Sequence, residues 1–130
     1  MTSPRFLLIA ALSCSAAVGC TDSIDERPAT FEYMVAAVLA PSCGTATCHN
    51  TMTKREGYAF DTVDAARQTF RDQFLVPVGG SDEPDTTKLI SIVTIAAGDE
   101  FIPRMPIDSP LPDADVELMR RWIVAGAVMP

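Results

Sequence analysis

The stretch Cys43-Gly44-Thr45-Ala46-Thr47-Cys48-His49 places two cysteines just before the only histidine of the chain. Two further cysteines, Cys14 and Cys20, lie in the first twenty residues. Cys43 and Cys48 therefore have to be explained together with His49.

The order of these side chains predicts covalent attachment of a haem group. In c-type attachment two thiols form thioethers with the porphyrin vinyl groups, and the histidine after the second cysteine binds the iron. His49 follows Cys48 directly, as this chemistry requires. The usual spacing places two residues between the cysteines, whereas four lie between Cys43 and Cys48. We expect Gly44 to let the additional residues loop out, so that both sulfur atoms still reach the porphyrin.

Met105 is the predicted sixth ligand of the iron, because a low-spin haem needs one and the chain has no second histidine. It lies in the segment Phe101-Ile102-Pro103-Arg104-Met105-Pro106, whose prolines predict a fixed extended loop. A stiff loop lowers the entropy cost of keeping a thioether on the metal. The other methionines suit the role less well: Met34 and Met119 fall on helical stripes, Met52 is too near His49, and Met129 is terminal.

Residues 1–19 are predicted to be a lipoprotein signal peptide. Arg5 precedes a short apolar run over residues 6–12, and small residues follow. The ending Ala17-Val18-Gly19-Cys20 resembles a lipobox, so we expect cleavage before Cys20 and lipid modification of its thiol. Cleavage before Cys14 would leave a shorter apolar run, and an ordinary secretory signal is the remaining alternative. Residues 20–28 would then form an acidic tether, and residues 29–130 the folded domain.

Four helices are predicted for this domain, and the expected fold class is all-α. The first covers residues 29–40 and ends at Pro41; the second covers residues 62–74 and is capped by Asp61. The third begins near Thr86, although its Ile and Val content leaves a strand open. The fourth has Pro112 in its first turn and ends near Gly126. The residues expected to face the core are Phe31, Met34, Val35, Val38, Leu39, Val63, Ala66, Phe70, Phe74, Leu89, Ile92, Val93, Ala96, Val116, Met119, Trp122 and Ile123.

Length and charge limit the functions open to the chain. Its 130 residues, 48% of them hydrophobic, suffice for one small domain with a packed core and not for a multidomain enzyme. The formal net charge of −7 argues against binding to nucleic acid, where lysine and arginine neutralise phosphates. It favours a partner protein with a basic patch.

Taken in order, these features resemble a bacterial monohaem cytochrome c domain over residues 30–127. The resemblance implies a small cytochrome c-like helical fold around one haem c, with Cys43 and Cys48 as attachment residues and His49 and Met105 as axial ligands. It also implies that the first and last helices cross at the haem pocket. The expected contact between these helices joins Phe31 and Val35 to Met119 and Trp122. The segments on which the resemblance rests are Cys43 to His49, Gly57-Tyr58-Ala59-Phe60-Asp61, residues 77–92, Arg104-Met105-Pro106, and Leu111 through Trp122-Ile123 to Ala125-Gly126-Ala127.

The function implied by this resemblance is single-electron transfer with a redox partner protein, not catalysis by the chain itself. Cys20 would anchor the domain to a membrane leaflet that faces the periplasm of a Gram-negative-type bacterium. Thr21 follows Cys20 where aspartate is associated with inner-membrane retention, which favours the outer membrane.

The main alternative is a haem-free lipoprotein that serves as a binding or scaffold module. In that case Cys43 and Cys48 form a disulfide in an oxidising compartment, and His49 is a surface residue. A zinc site has less support, since these residues supply three ligands and no further cysteine or histidine follows them. Nucleophilic catalysis lacks a GxSxG turn, and the acidic clusters fit a solvated loop and a helix N-terminus.

Overall fold

The computed structural model describes residues 25–95 and 103–130, which form helices and connecting loops without a β-strand. The all-α prediction is therefore confirmed for this part of the chain, and the third helix is a helix and not a strand. The predicted signal peptide, Cys20, most of the tether, Ala96, Phe101 and Ile102 lie outside the described residues. None of the helices in the described ranges is long and apolar enough to cross a membrane.

Helix α1 spans residues 31–42 in three consecutive segments: α-helical Phe31–Met34, π-helical Val35–Leu39 and α-helical Ala40–Ser42. Thr30 caps it by accepting a hydrogen bond from the Tyr33 amide. The prediction that the helix ends at Pro41 is wrong by one residue, since Pro41 lies inside the last turn. The wider π-helical turn before it supplies the reason, because it moves the carbonyl groups that a proline ring would meet in a regular α-helix.

Helix α2 covers Val63–Asp72, and two predictions for it need correction. Its cap is Thr62, which accepts from the Ala65 amide, because the Asp61 carboxylate is already bound by Thr51. Phe74 is 83% exposed and does not face the core. The helix has ended before Phe74, whose φ of +50° turns its side chain away from the stripe.

Helix α3 covers Lys88–Thr94 and helix α4 covers Asp113–Val124. Thr87 caps α3, and Pro112 immediately precedes α4. Gly126, with a φ of +104°, follows the end of α4 as predicted. Short 3-10 turns at Arg55–Gly57 and Pro84–Thr86 complete the regular structure of the described ranges.

The core forms where α1, α2 and α4 meet. The Phe31 ring lies 5.3 Å from the Phe70 ring and 5.7 Å from the Trp122 ring, measured between centroids. Val35 and Met119 are buried in the same cluster, so the predicted contact between the first and last helices is confirmed at Phe31 and Trp122. Ile90 and Leu118 are also fully buried, although the helical stripes did not single them out.

A group of ion pairs fastens the N-terminal segment to α4. Arg27 forms paired hydrogen bonds with Asp25, at 2.9 and 3.0 Å, and a further bond of 2.5 Å with Asp115. Its guanidinium also donates to the Ala114 carbonyl at 2.7 Å, and Arg121 donates to Asp25 at 3.0 Å. Residues 25–27 therefore lie beside α4.

This attachment is expected to survive mild acid and to be lost only as the pH falls toward 2. Hydrogen bonds from Arg27 lower the pKa of Asp25 from 3.8 to about 2. A lowered carboxyl pKa contributes stability that is fully present above the unfolded-state value and disappears as the pH falls through the folded-state value. NMR titration of the Asp25 carboxyl group measures this directly, and a midpoint near 3.8 would show that the ion pairs do not form in solution.

Candidate functional site

The backbone between the two cysteines folds into a compact loop. The His49 amide donates to the Cys43 carbonyl at 3.0 Å, and the Cys48 amide donates to the Thr45 carbonyl at 3.0 Å. The first of these bonds spans the whole motif and holds His49 beside Cys43. The four intervening residues thus loop out, as the sequence predicted.

Gly44 permits this loop because it has no β-carbon. A β-carbon at this position would lie 2.9 Å from the Ala40 carbonyl oxygen and 2.8 Å from the Asp61 amide nitrogen. Gly44 is not among the glycines with positive φ. Glycine is therefore required here because the end of α1 closely approaches the backbone at Asp61.

The His49 imidazole is oriented by a backbone carbonyl. Its Nδ1 lies 2.9 Å from the carbonyl oxygen of Arg55, and since that oxygen can only accept, Nδ1 carries the proton. This leaves the lone pair of Nε2 available for a metal ion. The ring is also held edge-on by two aromatic side chains, with centroids 5.4 Å away at Tyr58 and 5.9 Å away at Phe60.

Tyr58 and Phe60 are held in place from α2. The buried Thr69 hydroxyl donates to the Ala59 carbonyl and accepts from the Ala59 amide, both at 3.0 Å. Ala59 is thus fastened to the helix, while its two neighbours line the cavity beside His49. The sequence resemblance included this segment without giving it a role. The alternation of aromatic and small residues at positions 58–60 is the signal that would have identified it.

The two thiols are free and occupy different environments. No disulfide joins Cys43 to Cys48. Burial, together with the nearby Cys48 thiol, raises the pKa of Cys43 from 9.0 to about 11. Hydrogen bonds from the Thr45 and Thr47 hydroxyl groups lower the pKa of the less buried Cys48. Of the two, Cys48 is the thiol that ionises more readily.

All four residues predicted to bind haem line one cavity of about 750 Å³: Cys43, Cys48, His49 and Met105. A second compartment of about 400 Å³ shares Cys43, His49 and Met105 and continues into the domain. Both volumes fall within the range of cavities that bury small-molecule ligands. The inner compartment is walled mainly by apolar side chains, which are Leu39, Tyr58, Phe60, Leu75, Leu89, Ile92 and Val93.

Met105 reaches this cavity from the loop that follows α3 in the fold. Its amide donates to the Ile92 carbonyl at 3.0 Å, and Pro103 and Pro106 line the cavity on either side of it. Residues 103–106 contain no helix or strand, as predicted for the described part of the segment 101–106. Met34 and Met119 are fully buried in the core, and Met52 is 90% exposed, so none of the three shares the cavity with His49.

Within the described residues, no group of three or more His, Cys, Asp or Glu side chains is arranged to hold a metal ion. The Cys43, Cys48 and His49 side chains therefore do not converge on a single point, as a zinc site would require. Haem attachment has the opposite requirement, because its two thiols and its imidazole bond to different atoms of one planar group.

Comparison of the chain with models of protein families, with curated proteins and with solved structures finds no match. The cavity combines two free thiols, an imidazole with an available Nε2, and a thioether, within walls that are mostly apolar.

Proposed function

We propose that this protein is an exported, lipid-anchored monohaem c-type cytochrome with a small cytochrome c-like fold, and that it transfers single electrons. The observation that carries the proposal is that Cys43, Cys48, His49 and Met105 all line the same cavity. Residue 105 is far from the motif in sequence, and local structure alone does not place it there.

The residues fit covalently attached haem in three respects. Cys43 and Cys48 are free thiols, so both are available for thioether bonds. The protonated Nδ1 of His49 donates to the Arg55 carbonyl, which leaves Nε2 for iron. Met105 supplies the soft thioether sulfur that pairs with histidine in c-type cytochromes.

When bound, the haem iron would supply a centre that gains and loses one electron. The chain's own residues hold this centre and adjust its surroundings. Tyr58, Phe60 and the aliphatic side chains of the inner compartment exclude water, which disfavours the more highly charged oxidised state. Pro103 and Pro106 limit the motion of the Met105 loop.

The location and partner are further parts of the proposal. Lipidated Cys20 would hold the domain at a periplasm-facing leaflet, with the outer membrane favoured by Thr21. The tether would leave the domain beside α4, where Arg27 fastens the N-terminal segment. A net charge of −7 supports a redox partner with a basic patch, and no binding of nucleic acid.

Expression of the full chain with a periplasmic haem-attachment system tests the function. We expect a band on a denaturing gel that stains for haem peroxidase activity, and a mature mass increased by one haem. Replacement of both site cysteines, Cys43→Ser with Cys48→Ser, should abolish the stain because no thioether can form. Cys14→Ser is the matched control, since it removes a cysteine from the predicted signal peptide and should leave the stain unchanged.

Two outcomes would contradict the proposal in different ways. A colourless wild-type protein whose mass shows two oxidised thiols would establish the disulfide-bonded module instead. Wild-type protein that contains haem but is absent from the membrane fraction would overturn the lipid anchor alone. The Cys20→Ser variant, which has no thiol to be lipidated, is expected to be absent from the membrane fraction.

A further inference from the structure

The segment that precedes α1 is bound to α4 by a set of contacts that share one guanidinium group. Nη2 of Arg27 donates to Asp25 Oδ2 at 3.0 Å and to the Ala114 carbonyl oxygen at 2.7 Å, while Nη1 binds Asp115. Arg121, one turn from the end of α4, donates to Asp25 at 3.0 Å and to the Arg27 carbonyl at 3.3 Å. We call this set, Asp25, Arg27, Ala114, Asp115 and Arg121, the Arg27 clamp.

The clamp is a network and not a single surface ion pair. Isolated exposed pairs contribute little, but a guanidinium that binds one carboxylate through two nitrogens and a second carboxylate through a third is held in one geometry. The side chains of Arg27, Asp25 and Asp115 are 28%, 25% and 18% exposed. They are therefore partly shielded from solvent, and residues 25–27 belong to the folded domain.

The clamp shortens the part of the chain that can act as a tether. The sequence predicted that residues 20–28 link the lipid to the fold. Because Asp25 is already bound to the domain, five residues separate it from Cys20, and they span at most about 18 Å. Without the clamp the first fixed residue is the fully buried Phe31, and the same measure rises to about 40 Å.

The clamp also lies at one rim of the cavity that holds the predicted haem ligands. Ala114, which accepts from Arg27, follows Pro112 by two residues and is thus within about 7 Å of it. Leu111 and Pro112 line the same cavity as Cys48 and His49. The chain is therefore fastened to the side of the domain on which this cavity meets α4.

We propose that the Arg27 clamp holds the α4 rim of the cavity next to the membrane, and that the electron-transfer partner is a redox protein held on that same membrane. The proposal rests on the proposed function for the lipid at Cys20 and for the haem. A short tether raises the effective concentration of the domain toward membrane-bound partners and restricts its reach to others. The formal net charge of −7 favours a partner with a basic surface.

The experiment uses the full lipidated, haem-containing chain in phosphatidylcholine vesicles. The probe is a photoreducing cationic ruthenium complex, either anchored in the vesicles by an alkyl chain or free in solution, and the measurement is the rate of haem reduction. Arg27→Ala lengthens the tether about twofold, so reduction by the anchored complex should slow about threefold. Reduction by the free complex should be unchanged.

Two further variants separate tether length from charge and from folding. Arg120→Ala removes an arginine from α4 whose partners, Asp85 and Glu117, lie outside the clamp, and it should keep both wild-type rates. An insertion of about ten glycine and serine residues between Thr21 and Asp22 lengthens the tether and leaves the clamp intact. It should slow reduction by the anchored complex about fivefold, even if Arg27→Ala does not fold.

The proposal is overturned if Arg27→Ala or the insertion keeps the wild-type rate with the anchored complex. It is also overturned if Arg27→Ala slows both complexes equally, or if Arg120→Ala slows the anchored reaction as much. A wild-type chain that does not bind the vesicles overturns this proposal together with the lipid anchor, and leaves haem binding and electron transfer standing.

A wild-type chain that binds the vesicles without haem contradicts the proposed function, and the clamp is then tested by fluorescence. Trp122 is the only tryptophan of the chain, so its energy transfer to a dansyl-labelled lipid headgroup reports the distance of α4 from the membrane. Transfer should be weaker in Arg27→Ala than in the wild type and in Arg120→Ala. Equal transfer in all three would overturn the role of the clamp.

Discussion

Replacement of Met105 by alanine is expected to keep the haem covalently attached and to remove the sixth ligand of the iron. Attachment depends on Cys43 and Cys48, which the change leaves intact. The oxidised iron should become high-spin, or bind water or a lysine such as Lys88, whose ammonium lies 5.5 Å from the Tyr58 ring centroid on the cavity wall. The reduction potential should fall because methionine ligation raises it. Visible and far-red absorption spectra measure the ligand change, including loss of the weak sulfur-to-iron band.

Met119→Ala is the matched control for this experiment. Met119 is fully buried between helices and does not line the cavity, so its truncation should cost about 2 to 5 kcal/mol of stability. The iron spectrum should remain close to that of the wild type. If Met119 or Met34 controls the spectrum and Met105 does not, the assignment of the axial ligand is wrong.

Gly80→Ala is expected to be strongly destabilising. The position has a φ of +80°, and a β-carbon there would overlap the carbonyl oxygen of Ile123 and lie 2.9 Å from the Gly126 α-carbon. Both obstacles are backbone atoms that cannot rotate away. Overpacking costs about 1 to 3 kcal/mol and left-handed strain about 1 to 2 kcal/mol, which together predict a loss of about 2 to 5 kcal/mol. Urea unfolding of the full chain measures it.

Gly79→Ala separates the two contributions. Gly79 has a similar φ of +87°, but no atom lies within 4 Å of a β-carbon built there. Its substitution should cost only about 1 to 2 kcal/mol, from strain alone. If alanine at positions 79 and 80 lowers the free energy of unfolding equally, the loop before α3 does not pack against the end of α4.

The helices were largely predictable because their signals are local. The 3.6-residue spacing of apolar side chains located all four, and Gly126 marked the end of the last. The errors in the predicted helices fall at their ends, where more than one residue can cap or terminate the helix. Asp61 and Thr62 are both suitable caps, and the choice between them depends on Thr51, which binds the Asp61 carboxylate. Similarly, Phe74 has the correct spacing for the core stripe, but α2 ends before it.

The candidate site was predictable only for side chains with distinctive chemistry. Two thiols, one imidazole and a methionine between prolines are recognisable in the sequence by their residue types. The structure brings all four side chains to one cavity. The Arg55 carbonyl could not be found in this way, because every residue has a carbonyl group. The structure alone shows that this one accepts from His49, within a turn where Lys54 and Glu56 have positive φ angles.

The sequence by itself therefore determined the helical stripes and the set of reactive side chains, since periodicity and side-chain chemistry belong to the chain before it folds. Tertiary structure alone decided that Gly44 must fit against Asp61, that Met105 joins His49, and that a strained turn orients the imidazole. The reason is that these features are distances and directions between groups: packing of the helices around one core sets the first two, and the backbone path of residues 49–58 sets the third.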